Sequence, residues 1–433
     1  MYIIFLFIIT FFAFSSLMVI KDVNSKELRF HLSAELVLII AFYFHSCSLP
    51  ISRLFFDSTP NKLDLYYILT ISFCWFFLFI GIFTYRIKRN KNQINYDFVN
   101  QYFNSKIAFI ILSLLAINQF YNIFKNTGFD IISILKPYGY ESSVIDGSEK
   151  SIFDSFSELL LISSSNLIFS HSLYNKKKFL LYFSSSVIIL FAILLVIRGS
   201  RNVASMMLFP FIYTLLKNKY FSIYRVILVA FFFYILGYTV GVIRNAGFGE
   251  LANLNFDYSV FDPLAQEFGT NYSLFTKWFE FSPKQELSFG STYIIDPLIN
   301  LVPYKIWPNR PQGPAIQFSM SYFGVTNISE LKEGLGFSPI IEAFMNFSYF
   351  GIIPAFLLFP YFFYKYSHHL FKNQNHTNNV VSGFLILIVL NWLRIDFATC
   401  FKIFLIFLLS TRLFSFLFFS KFNYKFESFT DNK

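Results

Sequence analysis

The chain has 433 residues, with 35 Lys and Arg against 25 Asp and Glu, giving a net charge of +10; charged residues make up only 14% of it and hydrophobic residues 55%. Soluble domains carry about 25% charged residues, so this composition excludes a soluble enzyme and a disordered chain. Three cysteines also exclude a disulfide framework, leaving an all-α polytopic membrane protein.

A helix needs about 20 consecutive apolar residues to cross a bilayer, and reading for such runs gives about eleven. In chain order they are residues 2–20, 34–54, 65–85, 107–124, 152–174, 179–197, 202–216, 226–243, 338–364, 380–393 and 401–419. The first has no positive n-region and no small-residue cleavage site before Lys21, so it reads as a retained helix. Ser163, Ser164, Ser165 and Asn166 interrupt the fifth, and the seventh and tenth are short.

Lys and Arg in the short connections set the orientation. One set of alternate connections holds Lys21, Lys26, Arg29, Arg86, Lys88, Arg89, Lys91, Lys176, Lys177, Lys178, Lys217, Lys219, Lys365 and Lys372, and the tail adds Lys421, Lys425 and Lys433. That set is expected in the cytoplasm, with the N-terminus outside and the C-terminus inside. Three regions follow: a helix bundle over 1–243, a large outer loop over 244–337, and helices with a short cytoplasmic tail over 338–433. The loop is too apolar for a linker and is rich in Pro and aromatics, so short amphipathic helices are expected in it, at the interface or folded over the bundle.

Positive charge is disfavoured on the outer face, so arginines there need a reason. Arg198-Gly199-Ser200-Arg201 forms a very short outer hairpin, Arg244 ends the eighth span, Lys305 and Arg310 lie in the loop, and Arg394 closes the tenth span. Each taken singly reads as a snorkelling anchor or a local ion pair. As a set, several guanidinium groups at one membrane depth suit a diphosphate or carboxylate ligand. Gly199 permits a tight turn and Ser200 adds a hydroxyl donor. Among the acids, Glu342 falls about one turn into the ninth span, where a carboxylate is a functional candidate, its alternative being a salt bridge to an outer arginine. Asn346 shares its helix face. Asp257, Asp262, Glu267 and Asp296 each read singly as solvated loop charges.

Absences narrow the chemistry. None of the 6 histidines lies in the large loop, and no spacing of His and carboxylates suggests zinc. There is no phosphate-binding Gly-x-x-x-x-Gly-Lys-Ser/Thr loop and no serine elbow. No cofactor is expected, and the positive charge is topological rather than a sign of nucleic-acid binding.

Three stretches carry a family resemblance: Arg198-Gly199-Ser200-Arg201; Phe289-Gly290-Ser291-Thr292-Tyr293 with Val302-Pro303-Tyr304-Lys305-Ile306-Trp307-Pro308-Asn309-Arg310-Pro311; and Gly336-Phe337-Ser338-Pro339-Ile340-Ile341-Glu342-Ala343 with Asn346-Phe347 and Gly351. In this order the chain resembles the Wzy-type O-antigen polymerases, departing at Ser348, where glycine is common. The resemblance implies a fold like the C-type glycosyltransferases that use lipid-linked sugars. It also implies an inner-membrane enzyme that transfers a growing glycan from undecaprenyl diphosphate to a newly flipped repeat unit on the periplasmic side. A separate chain-length regulator and a flippase are implied as partners. Arg198, Arg201 and Arg244, with Ser200, would hold the diphosphate, and Arg310 or Arg394, with Lys305 nearby, would serve the second one. Glu342 or Glu267 would take the proton. Tyr272, Trp278, Tyr293, Tyr304 and Trp307 would stack on sugars. Two other readings compete. An O-antigen ligase has a similar layout but is expected to use a loop histidine, and a flippase or transporter is expected to show inverted repeats, which are not seen here.

Overall fold

A computed structural model describes residues 2–24, 36–46, 62–88, 102–125, 152–198, 200–218, 262–281, 287–302, 306–307, 309–327, 330–331, 335–372 and 375–420, with isolated positions between 220 and 235. The described chain is helical apart from one two-residue antiparallel bridge, β1 (Tyr102–Phe103) with β2 (Phe419–Ser420), in register Tyr102 to Ser420 and Phe103 to Phe419. The helices of the N-terminal half are α1 (Tyr2–Asn24), α2 (Leu36–Ser46), α3 (Lys62–Lys88), α4 (Ser105–Lys125), α5 (Ile152–Tyr174), α6 (Lys178–Ile197) and α7 (Arg201–Lys217). After them come α8 (Asp262–Phe281), α9 (Ser291–Leu301), α10 (Pro314–Phe323), α11 (Pro339–Phe347), α12 (Phe359–Lys372), α13 (His376–Trp392) and α14 (Phe397–Phe418). Four of them, Lys62–Thr84, Ser105–Lys125, Lys178–Ile197 and Phe397–Phe418, are long and apolar enough to cross a membrane, and a bent pair makes a fifth. The chain is therefore a polytopic membrane protein. Apart from isolated positions, the expected span at 226–243 lies outside the described residues.

The bundle is organised around α13, which is buried over most of its length. A helix apolar all round belongs in an interior. Gly383 lets α7 approach so closely that a Cβ there would stand 2.6 Å from the Cα of Pro210. On another side Phe384 stacks on Phe407 of α14 with centroids 3.6 Å apart. The serine run that interrupts the fifth span faces inward. Ser163, Ser164 and Ser165 bond to carbonyls of their own helix, and the Asn166 amide donates across to the Met207 carbonyl of α7 at 3.2 Å.

The two ends of the bundle are built from different contacts. At one end the Lys177 ammonium lies 5.1 Å over the Phe103 ring, Lys217 donates to Asn379, and Lys106 and Lys178 line one surface cavity. Phe103 stacks on His171 there, beside the β bridge. At the other end Tyr272 of α8 donates to Asp64 of α3, which folds part of the 244–337 region back over the bundle.

The ninth span is not one helix, as the sequence reading has it. It is bent by 108° between Pro339–Gly351 and Pro354–Leu370. Ser348 takes φ 53 and ψ −140, a conformation that favours glycine. A tight 3-10 turn, Ser348–Gly351, follows, in which a Cβ on Gly351 would sit 1.9 Å from the Ala343 carbonyl oxygen. Pro354 then removes a helix donor, and the chain re-enters through a short π-helical segment, Pro354–Leu358. Ser348 stands where the resemblance leads one to expect glycine, and the backbone there adopts the conformation glycine prefers. Ser348→Gly is expected to stabilise the protein by about 1 kcal/mol, and Gly351→Ala to destabilise it by about 3 kcal/mol. Thermal unfolding in detergent measures both, and an unchanged Gly351→Ala midpoint would contradict the bend.

Candidate active site

The bend sets α11 across the end of the bundle. Ser338 caps it by accepting from the Ile341 N–H at 3.4 Å, and Pro339 occupies its first turn. Glu342 lies in that first turn and is 0% exposed. Its Oε2 accepts the Phe397 N–H at 3.0 Å, at the start of α14. The carboxylate thus rests against the positive ends of two helices. Its partner is a backbone N–H rather than an outer arginine. Its second oxygen, Oε1, is buried without a close hydrogen bond, and the Thr292 hydroxyl lies beside the carboxyl.

Asn346, one turn on, ties α11 to the loop. Its Oδ1 accepts the Gly290 N–H at 2.9 Å, and its Nδ2 donates to Thr292 Oγ1 at 2.6 Å and to the Glu342 carbonyl at 2.8 Å. The Ser288 and Phe289 N–H groups donate to the Met345 and Asn346 carbonyls at 2.8 and 3.1 Å. Gly290 has φ 87, and a Cβ there would lie 3.0 Å from the Phe347 ring. The Phe289-Gly290 and Glu342–Phe347 stretches, whose bonded residues Gly290 and Asn346 are 56 apart in sequence, are therefore one unit in space.

The third part of the site is the turn into α14. Asp396 caps that helix, its two oxygens accepting from Thr399 N and Thr399 Oγ1 at 2.8 and 3.0 Å, while Asn300 of α9 donates to the same hydroxyl at 3.4 Å. The Phe337 N–H donates to the Arg394 carbonyl at 3.1 Å. Burial, against which the Thr399 bonds act, holds the Asp396 carboxyl above its usual range. Burial and then the charge of Asp396 do the same to Asp296. The Tyr293 hydroxyl is raised well above its usual range by burial and by the Glu342 charge. Among the described residues no group of three or more His, Cys, Asp or Glu side chains could hold a metal ion.

The other sequence candidates are distributed as follows. Arg198 ends α6 and is half-buried, and Ser200 precedes α7 with no side-chain capping bond. Arg201 opens α7, and its side chain is outside the described part, as is that of Glu267 within α8. Arg244, Lys305 and Tyr304 lie outside the described residues. Since α7 and α13 run antiparallel, with Lys217 at Asn379 and Pro210 at Gly383, the Arg198–Ser200 turn and Arg394 share one end of the bundle. The Arg394 side chain is exposed. Arg310 is only 8% exposed and donates to the Ile299, Asn300 and Val302 carbonyls that end α9. Of the loop aromatics, Tyr272 is bonded to Asp64, Trp278 is packed on Phe318 and Phe344, and Tyr293 meets Phe359 and Phe397 edge-on. Trp307 is 42% exposed.

Asp296 is half-buried beside Asp396, not a solvated loop charge. Sequence reasoning also passed over Asp396, Thr292, Thr399 and Lys402 as site residues. Lys402 was the most visible, as a cation one turn into a span; it lies near Arg310 and Asp396. Asp396 followed three residues later by Thr399 is a helix-start signal.

The chain matches, over residues 1–427, the family described as O-antigen polysaccharide polymerase Wzy, and it belongs to that family. It is accordingly a glycosyltransferase-type polymerase that assembles O-antigen from lipid-linked oligosaccharides in a membrane. No curated protein and no solved structure matches it.

Asn346→Ala strands the buried Gly290 N–H and the Thr292 hydroxyl. A loss of about 1–3 kcal/mol in unfolding free energy is expected, because buried polar groups without partners carry their full desolvation penalty. Polymer length should fall with it. A midpoint equal to that of the wild type in thermal unfolding would contradict this junction.

Proposed function

We propose that this O-antigen polymerase joins undecaprenyl-diphosphate-linked repeat units on the periplasmic face of a bacterial inner membrane, with Glu342 as the base that activates the attacking sugar hydroxyl. The observation that carries the reading is the Glu342 carboxylate. It is fully buried, one oxygen is fixed by the Phe397 N–H, the other makes no close hydrogen bond, and the Thr292 hydroxyl lies beside the carboxyl. Most buried carboxylates are closely bonded through both oxygens, and one oxygen held with the other only loosely engaged is an arrangement a base can use.

In this mechanism the acceptor hydroxyl attacks the anomeric carbon of the growing glycan as its proton passes to Glu342. The anomeric carbon–oxygen bond breaks, and its electron pair leaves on the lipid diphosphate. Arg198, Arg201 and Arg244 hold that diphosphate as its charge grows, with Ser200 adding a hydroxyl donor. Arg394 takes the second diphosphate. Its side chain is exposed, whereas Arg310 is only 8% exposed. Trp307 offers an exposed ring for a sugar. Glu267 and Lys305 are second candidates for base and diphosphate ligand. We further infer about eleven spans in all, with a 1–243 bundle, a 244–337 periplasmic loop and a 338–433 C-terminal part, arranged as in the C-type glycosyltransferases. A flippase would supply the substrate, and a chain-length regulator would set the product size.

Glu342→Gln preserves shape and removes the base. It is expected to reduce surface glycan to single repeat units, a rate loss of about 10²–10⁴-fold, at normal protein level. Arg198→Ala and Arg201→Ala are each expected to lower the rate about 10²–10³-fold. Glycan ladders on a gel, read beside an immunoblot, report all three. A normal ladder from Glu342→Gln removes it as the base, and normal ladders from both arginine variants remove the clamp.

A further inference from the structure

α9 is an inside-out amphipathic helix. Thr292, Asp296 and Asn300 recur every fourth residue and so share one face. That polar face points into the protein: Thr292 is bonded to Asn346, and Asn300 is bonded to the Thr399 hydroxyl that Asp396 holds. The opposite face, Ile294, Ile295 and Leu298, is 70%, 53% and 61% exposed. A helix in water turns its apolar face inward; one that turns its polar face inward lines a polar seam between itself and the protein. Two buried oxygens beside α9 make no close hydrogen bond, Glu342 Oε1, whose carboxyl has the Thr292 hydroxyl beside it, and the Tyr293 hydroxyl, which has the Asn346 amide nearby.

Burial decreases outward from the base. Glu342 is 0% exposed, Asp396 is 5% exposed, and Asp296 is half-buried. Asp396 immediately precedes the residue whose N–H holds Glu342. Both aspartates lie close enough to Glu342 to act on its charge. The other charged or titratable groups packed around them are Tyr293 on α9, Cys400 and Lys402 on α14, and Arg310 beyond α9. A base whose substrate-facing side is closed by the bound sugars must lose its proton another way after each addition, or the second turnover stops.

We propose that Asp396 and Asp296 relay the proton from Glu342 to the outer solution along the polar face of α9, through water in the seam. The inference rests on Glu342 being the base. One proton moves at each step: from the attacking hydroxyl to the Glu342 carboxylate, then to Asp396, then to Asp296, then to water. Glu342 is left ionised for the next addition, and nothing is oxidised or reduced. Asp396 and Asp296 are positioning residues, since they act through Glu342 and touch no substrate.

Asp396→Asn tests the relay without removing the helix cap, because Asn caps as well as Asp. Asp296→Asn tests the outer step. The assay follows glycan elongation in membrane vesicles that hold the full-length protein and its native lipid-linked repeat units. Each variant is expected to slow elongation at least about tenfold, to raise the solvent deuterium isotope effect, and to recover in part with added azide or formate, small anions that carry protons. A residue that only shapes the fold would show neither the isotope effect nor the rescue. If Glu342→Gln is inactive while both aspartate variants elongate at the wild-type rate, the relay is wrong and the base stands. If Glu342→Gln is fully active, the base reading fails first. Slow aspartate variants with an unchanged isotope effect and no rescue also overturn the relay.

Discussion

A helix that stops inside a membrane protein frees backbone groups that lipid cannot satisfy, and the rest of this site follows from how those groups find partners. When α11 ends at Phe347, the carbonyls of Met345 and Asn346 lose their helical donors. The Ser288 and Phe289 N–H groups supply replacements from the loop. The bond is reciprocal in effect, because Asn346 holds the Gly290 N–H in return. The break therefore fastens the loop to the bundle. Gly290 and Ser348, both at positive φ, stand on the two sides of this junction. Strained backbone gathers where a site has to be held against relaxation.

The same break explains how a buried carboxylate is tolerated. Set within a continuous span, Glu342 would face lipid or neighbouring helices at a penalty of several kcal/mol. Turned across the bundle end, it meets the first N–H of α14 and sits in the first turn of its own helix. Both helix ends favour negative charge. Asp396 in turn orders that first turn of α14 through Thr399. The arrangement compensates one oxygen closely and leaves the other without a close hydrogen bond.

Much of this was legible in the sequence, and the limits have physical causes. Apolar runs located the helices, because lipid imposes a length on them. The Glu342 stretch and the Phe289-Gly290 stretch were singled out, but nothing in the spacing said that they touch. That contact is made by backbone groups freed at a break, and the ninth run reads as continuous because apolar composition carries no information about a bend. Pro354 and Gly351 were hints, while Ser348 concealed the turn by not being glycine. Arg310 was misleading in the opposite direction. An arginine in an outer loop suggests a ligand, yet this one satisfies the carbonyls at the end of α9. Pairing with main-chain carbonyls leaves no periodicity to read. Asp296 looked like a solvated charge because a loop helix is assumed to face water with its polar side.

That assumption fails at α9. Alternation at a period of 3.6 residues fixes that a helix has two faces, and says nothing about which one meets the protein. The environment decides it. Beside a soluble core the apolar face of α9 would be buried and Asp296 would be hydrated. Here the polar stripe is inward, with Thr292 and Asn300 both spent on partners that position Glu342 and Asp396. A loop helix in a membrane protein can be turned this way because the medium outside it accepts Ile294, Ile295 and Leu298 as readily as a core would. The stripe's inward direction is thus a consequence of the membrane setting, and it delivers a carboxylate to the interior that no soluble-protein rule would have placed there.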